Sequence, residues 1–495
     1  MYRVAQLERT VQTLTNALPQ STRQDVTTPT YEHVNDVADG LEAPLHVIRD
    51  AGVTPGAHPD QIAHAELNVV RKGIVSEIDA MHLLVLFQRH YGRWIGWDES
   101  SPNPRSVDDV RDPLLLCVCC LIAGRHTTIY QSRARSEALS SEAKSLLGSG
   151  LLQTVQPYSF FQAALILSLW STTAGQSPLG LDAWSISGYA LQQTTVSELF
   201  SGRRLAEAGG SANRETLQVL AHLQLAHLHA CVSLRRRAHL SVADIERARS
   251  IAPTGAVSNF EARMLAELHL YWTVHDCTMA EPVQLPRAQK ALQQWKTEWS
   301  ALFAQPRHQF LQMGFDFAQL LLYERSINAK STNVRQSLLA EMLRLSEDIL
   351  DCAINASDTR TEHLTDHVYH VITFAAITLC RLIYKYGNLL HGPPNLDQKH
   401  AIVSKTVHWL HSIGLDAHVA RSMGNTIAAI HQRLFPDQQL SPWTATQGDE
   451  SSTIAGVMPD FLGVDATFDW DSLLPDWQSL TSETAAYEMG QANMS

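Results

Sequence analysis

Lysine and arginine are missing from the chain after Arg433. Across all 495 residues they number 38 against 50 aspartates and glutamates, for a formal net charge of -12 and a sequence pI near 6.0. A protein that grips nucleic acid along its length needs a basic footprint, so this balance excludes that class and leaves DNA contact to a local patch or to another protein. Long apolar runs are also lacking: no stretch reaches the roughly 18 residues of a membrane span, and the N-terminus has no apolar signal core, so no membrane partner is expected. Cysteine is scarce and odd in number, seven in all. Cys117, Cys119 and Cys120 sit inside the apolar run 114–122, and Cys231, Cys277, Cys352 and Cys380 fall one per segment. That spacing excludes a disulfide framework and a zinc cluster, and it fits buried thiols in a reducing compartment.

What is present is helical periodicity. The hydrophobic content of 45% is that of a globular chain long enough for one very large or two to three ordinary cores. Residues 161–191 organise the reading. Phe161, Ala164, Leu165, Ser168 and Leu169 fall on one helical face, and Ala163, Ile166, Leu167 and Trp170 widen it until the helix is buried nearly all round. Residues 171–180 have a turn composition, after which Asp182 offers an N-cap to a second helix carrying Trp184, Gly188 and Leu191 on one face. A glycine inside a helix costs about 1 kcal/mol against alanine, so Gly188 implies that another helix comes close.

These residues carry a family likeness. The run Gln162, Ala163, Ala164, Leu165, Ile166, Leu167, followed by Asp182, Ala183, Trp184, Ser185, Ile186, Ser187, Gly188, Tyr189, Ala190, resembles the signature of the fungal-specific transcription factor domain, the helical regulatory region of fungal binuclear zinc cluster regulators. The likeness continues through 292–299 with Trp295 and Trp299, through 310–318, and through 363–370, so that it covers roughly residues 70 to 435. The resemblance implies an all-α fold, packing roles for Trp184, Gly188, Trp295 and Trp299, a nuclear location, and control of metabolic, secreted-hydrolase or secondary-metabolite genes. It also implies a basic six-cysteine DNA-reading module ahead of a short coiled coil, and no such module occurs in these 495 residues. No cofactor is expected here, zinc entering only with an upstream cluster. DNA would be reached indirectly or through that missing module.

Val4, Leu7, Val11, Leu14 and Leu18 alternate spacings of three and four, the a and d pattern of a short parallel coiled coil, and an ordinary amphipathic helix fits two heptads as well. Residues 1–18 are accordingly expected to dimerise, with a second copy or a related regulator. Residues 19–61 are expected to be a flexible linker, 62–434 the helical domain, and 435–495 an acidic-hydrophobic tail. In the tail Asp460, Asp465, Asp469, Asp471 and Asp476 interleave with Phe461, Leu462, Phe468, Trp470, Leu473, Leu474 and Trp477. Mutually repelling carboxylates keep such aromatics in water until a coactivator groove receives them, which makes this an activation segment; docking on its own domain uses the same side chains.

Three further patterns have simpler structural roles beside the chemical ones. Asp108, Asp109 and Asp112 have the spacing of a magnesium-binding motif of helical terpene synthases, but the flanking prolines place them on a loop capping the helix from Pro113. Arg235, Arg236 and Arg237 can contact phosphate, and at a helix end they also complement the macrodipole. His363 and His367 have the i, i+4 spacing of a metal pair, with Glu362 or Asp366 alongside, and with no glutamate between them they read more simply as histidines at a polar helix start. The expectation is therefore an all-α transcriptional regulator, an activator and not an enzyme. The alternatives are a partner-dependent co-regulator or inhibitor without DNA binding of its own and, remotely, an all-α magnesium enzyme.

Overall fold

A computed structural model describes residues 68–438, apart from short internal stretches of which 201–210 and 250–258 are the longest. The heptad residues Val4 to Leu18, the linker and the segment 460–477 lie outside the described residues. Within them the fold is all-α, as its periodicity indicates, with fourteen α-helices and one two-residue antiparallel ladder, Thr173–Ala174 (β1) with Ser177–Pro178 (β2).

The first core is built from α1 (Glu77–Tyr91), α2 (Pro113–Ala123), α3 (Arg133–Leu151), α4 (Tyr158–Trp170) and α5 (Ala183–Val196). The local chemistry sets each start. Ser76 caps α1 by accepting from the Asp79 amide at 3.1 Å, Asp112 caps α2 by accepting from Leu115 at 2.8 Å with Pro113 at the first position, and Asp182 caps α5 through Trp184 at 3.1 Å. Every residue of α2 is buried, and α2 packs between α1, α3 and α4.

The second core follows with α6 (Ser211–Leu234), α7 (Val242–Arg249), α8 (Asn259–Met279), α9 (Leu285–Glu298), α10 (His308–Ser326), α11 (Thr332–Asn355), α12 (Asp366–Leu390), α13 (Pro394–Ser412) and α14 (Val419–Leu434). Helix α6 belongs to both. Val219, Leu220, Leu223 and Ala226 enter the first core, while Ala221, Leu225, Leu228 and Val232 enter the second. Two faces at helical spacing thus join the halves through one rod. Against the expectation from the sequence, residues 214–234 of α6 and 366–386 of α12 do have the length and composition of membrane spans, because both are core helices: 78% and 72% of the respective windows are buried inside the fold.

The approach of α5 to α6 is close at Gly188. A Cβ there would stand 3.0 Å from His239 Cδ2 and 3.2 Å from His227 Cε1. The His227 ring cannot yield freely, because Nδ1 lies 2.9 Å from Ser187 Oγ and Nε2 accepts from the His239 amide at 3.1 Å. Gly188→Ala is therefore expected to lose more by overpacking than the roughly 1 kcal/mol it gains in helix propensity, for a net loss of about 1 kcal/mol. Urea unfolding midpoints of the two proteins check this; a higher midpoint for the alanine variant would show that the rings can move aside.

Candidate regulatory site at the junction of the two cores

Where the cores meet away from α6, helix ends converge. His90 and Tyr91 close α1, His126 lies in the 3-10 turn Gly124–His126 after α2, and Trp170 ends α4. From the other half come Glu362 and His363 in the 3-10 turn Thr361–His363, Asp366 and Tyr369 of α12, and His418, the N-cap of α14. The Tyr91 hydroxyl touches both His126 Nε2 and, at 3.1 Å, His363 Nδ1. The His90 ring stacks on His363 with centroids 3.8 Å apart, and His126 meets His363 edge-on at 4.5 Å. His418 donates from Nε2 to the Glu362 carbonyl at 2.8 Å and accepts at Nδ1 from Ala420, which fixes its tautomer. The Trp170 indole donates to the Leu364 carbonyl at 3.0 Å.

The electrostatics of this cluster follow from burial. His363 is lowered to about 3 by burial, then by His90, His418 and Arg360; His418 is lowered to about 4 by burial; His126 falls well below the ordinary histidine range through burial and its histidine neighbours. Burial also raises the Tyr91 hydroxyl well above its usual range. At neutral pH the cluster therefore consists of neutral imidazoles around a protonated phenol. Beside it Arg125 and Asp366 form an ion pair at 3.7 Å, with side chains only 6% and 5% exposed.

The structure separates His363 from His367. Leu364 and Thr365 break the chain between the 3-10 turn and α12, so the i, i+4 spacing does not lie on one helix. His367 instead stacks on His229 at 3.7 Å and reaches the Tyr271 hydroxyl at 2.6 Å. The acidic motif is likewise consumed locally. Asp112 accepts from Leu115 and, at 2.8 Å, from Ser159 Oγ, and Asp109 accepts from Ser106 N and Oγ, both at 2.8 Å. These carboxylates rim a cleft of about 320 Å³ with Arg105, Arg111, Tyr158 and Glu215, as caps and turn anchors and not as ligands on one helical face.

The basic run is also occupied. Arg235 pairs with Glu324 at 3.0 Å, and Arg236 pairs with Asp182 and lies over the Trp184 ring at 5.1 Å. The Trp184 indole donates to the Arg237 carbonyl at 3.0 Å. Trp295 is buried, donates to Ala266 at 2.8 Å and stacks on Phe315, while Trp299 forms the end of α9 beside His269. All seven cysteines are free thiols, five of them buried, and burial raises those of Cys119, Cys231 and Cys380.

The junction cluster is the feature that sequence reasoning missed. Its members come from positions 90 to 418, and the signals available were an abundance of histidine, 23 residues in all, and the metal-type spacing that starts at His363.

Known proteins with a similar sequence define the class. An uncharacterized transcriptional regulatory protein of Schizosaccharomyces pombe is 26% identical over 449 residues, 86% of this chain and 83% of its own length. The transcriptional activator of proteases prtT of Aspergillus clavatus is 26% identical over 339 residues, 66% of this chain and 53% of its own length, and that of Penicillium rubens 24% over 378 residues, 71% and 57%. This chain thus spans about half the length of the prtT relatives it matches. No solved structure matches it. The protein is a fungal transcriptional regulator and not an enzyme. Residues 73–434 match the family described as the transcriptional activator of proteases prtT middle domain, and the chain belongs to that family.

Proposed function

We propose that this chain is an activator of RNA polymerase II transcription that works in a fungal nucleus on genes for proteases. The helical body that matches the prtT middle domain carries the reading, and the names of the Aspergillus and Penicillium relatives supply the target class. The carboxylates and aromatics of 460–477 are the coactivator-binding segment, and Val4, Leu7, Val11, Leu14 and Leu18 pair the chain with a second copy or a related regulator. Fusing the full chain to a heterologous DNA-binding domain tests activation directly. A reporter is expected to respond, and Trp470→Ala with Trp477→Ala is expected to remove most of the response, since aromatic anchors dominate such grooves. A reporter that stays silent, or one indifferent to both tryptophans, would overturn the assignment of the segment.

A partner-dependent co-regulator remains the second reading, favoured by the net charge of -12 and by the engagement of Arg235 and Arg236 with Glu324 and Asp182. Retention of promoter DNA by the purified chain alone, compared with retention in the presence of a zinc cluster regulator, separates the two.

A further inference from the structure

One imidazole nitrogen each of His126 and His363 and one carboxylate oxygen of Glu362 lie within 4.8 Å of one another. Zinc ligands at about 2.0–2.2 Å from the metal stand roughly 3.2–3.6 Å apart, so closure by about an ångström completes a three-ligand set. The nitrogens that face away from Tyr91 are the ones free to ligate. His126 Nδ1 is shielded from solvent without a hydrogen-bond partner among the described residues, and His363 Nε2 is 3.4 Å from Glu362 Oε1. An orphaned, buried ring nitrogen costs stability unless something fills its lone pair.

We infer that His126, His363 and Glu362 form a zinc(II) site that clamps the turn after α2 to the turn before α12, and so locks the two cores of the regulatory domain together. The site has the attributes such a role needs. Two imidazoles and one carboxylate are a donor set that zinc accepts with a fourth position left to water. The Tyr91 hydroxyl lies against the opposite nitrogen of each ring and can accept an N–H from both, which orients the rings as outer partners of metal-bound histidines do. His418 holds the Glu362 carbonyl, fixing the turn that presents two of the ligands. Of the cations beside the cluster, Arg125, which acts on His126, is paired with Asp366, while Arg360 acts on His363. The Glu362 side chain is 42% exposed against 6% for His363, so the carboxylate is the entry side. The inference extends the regulatory reading of the domain without depending on which genes it controls.

The test uses the full chain after chelator treatment, titrated with zinc against a chromophoric competitor and separately with cobalt(II). One equivalent is expected to bind, with visible d–d absorption from cobalt and no thiolate-to-cobalt charge-transfer band. The melting midpoint is expected to rise by about 2–5 °C at a large excess of zinc over its dissociation constant. Glu362→Gln and His363→Gln are each expected to weaken binding by roughly 100-fold or more, and Tyr91→Phe, an outer partner, by about 10-fold. Glu362→Gln alters a partly exposed side chain and is expected to leave the helical circular dichroism unchanged, so its loss of zinc is not a loss of fold. Failure of the wild-type chain to bind zinc at about 100 μM, retention of full affinity in both ligand variants, or a thiolate band with cobalt would each overturn the site. None of these outcomes bears on transcriptional activation, which the reporter measures independently.

Discussion

Acidification from pH 6.5 to 5.5 is expected to remove about 3 kcal/mol of the stability of the helical domain through groups outside the junction alone, a large part of the 5–15 kcal/mol that holds a typical fold. The cause is histidine kept neutral by burial away from the junction. His222 and His367 are lowered to about 3, and His227, His269 and His431 to about 4, burial being the first cause in each. Each binds fewer protons folded than unfolded, so its contribution is complete well above the unfolded value near 6.5 and is lost as pH falls through that value. Five such groups lose about 1 kcal/mol each over this unit of pH. Two carboxylates work in the opposite sense. Burial raises Asp316 to about 6 and Glu267 to about 7, so both bind protons more readily folded, and together they return about 2 kcal/mol in the same window. Between pH 5.5 and 4.5 the five histidines lose at close to their full slope, faster than the two carboxylates gain, so the net loss steepens; the carboxylate contribution saturates only below their unfolded values near 4. Urea midpoints at pH 7.0, 6.0 and 5.5 measure this; a midpoint that holds or rises on acidification would show that the buried rings take up protons without unfolding.

The same contrast between local and assembled features explains what the sequence disclosed. Helices α2 and α5 are legible from Asp112 and Asp182 as caps, because a cap and an apolar face are written within one turn of each other. Boundaries governed by tertiary packing were less so. Helix α13 begins at Pro394, directly after Gly392 and Pro393, because a proline that breaks one helix also suits the first position of the next. The turn at 171–180 contains a two-residue ladder that its Thr, Gly, Ser and Pro composition does not distinguish from an open loop. The junction was not legible at all. Its partners lie as far apart in sequence as Tyr91 and His363, 272 residues, and no spacing rule reaches so far. His363 and His367 share a helical spacing but not a helix, and they flank the polar start of α12, the simpler role read for them.

The largest single effect is expected at the ion pair beside that junction. Arg125 follows α2 and Asp366 opens α12, so the pair links one core to the other through side chains almost closed to water. Asp366→Asn keeps the shape and removes the charge, taking from the buried Arg125 guanidinium the carboxylate it faces at 3.7 Å. The expected cost is about 3–5 kcal/mol, which is the penalty of an uncompensated buried charge and not the worth of the pair itself. The distinction is measurable. Replacing both partners with apolar residues of similar volume, Arg125→Met with Asp366→Leu, removes two desolvation penalties along with one attraction, and is expected to restore most of the loss. Were the double variant as unstable as the single ones added together, the two residues would be acting through other partners. A second signature follows from position. Helix α6 also joins the cores, so Asp366→Asn is expected to loosen the junction end first, and thermal unfolding followed by Trp170 fluorescence, whose indole donates to Leu364 across the same boundary, is expected to precede loss of helical circular dichroism. Coincident transitions in the variant would mean that α6 alone suffices to keep the two cores unfolding as one.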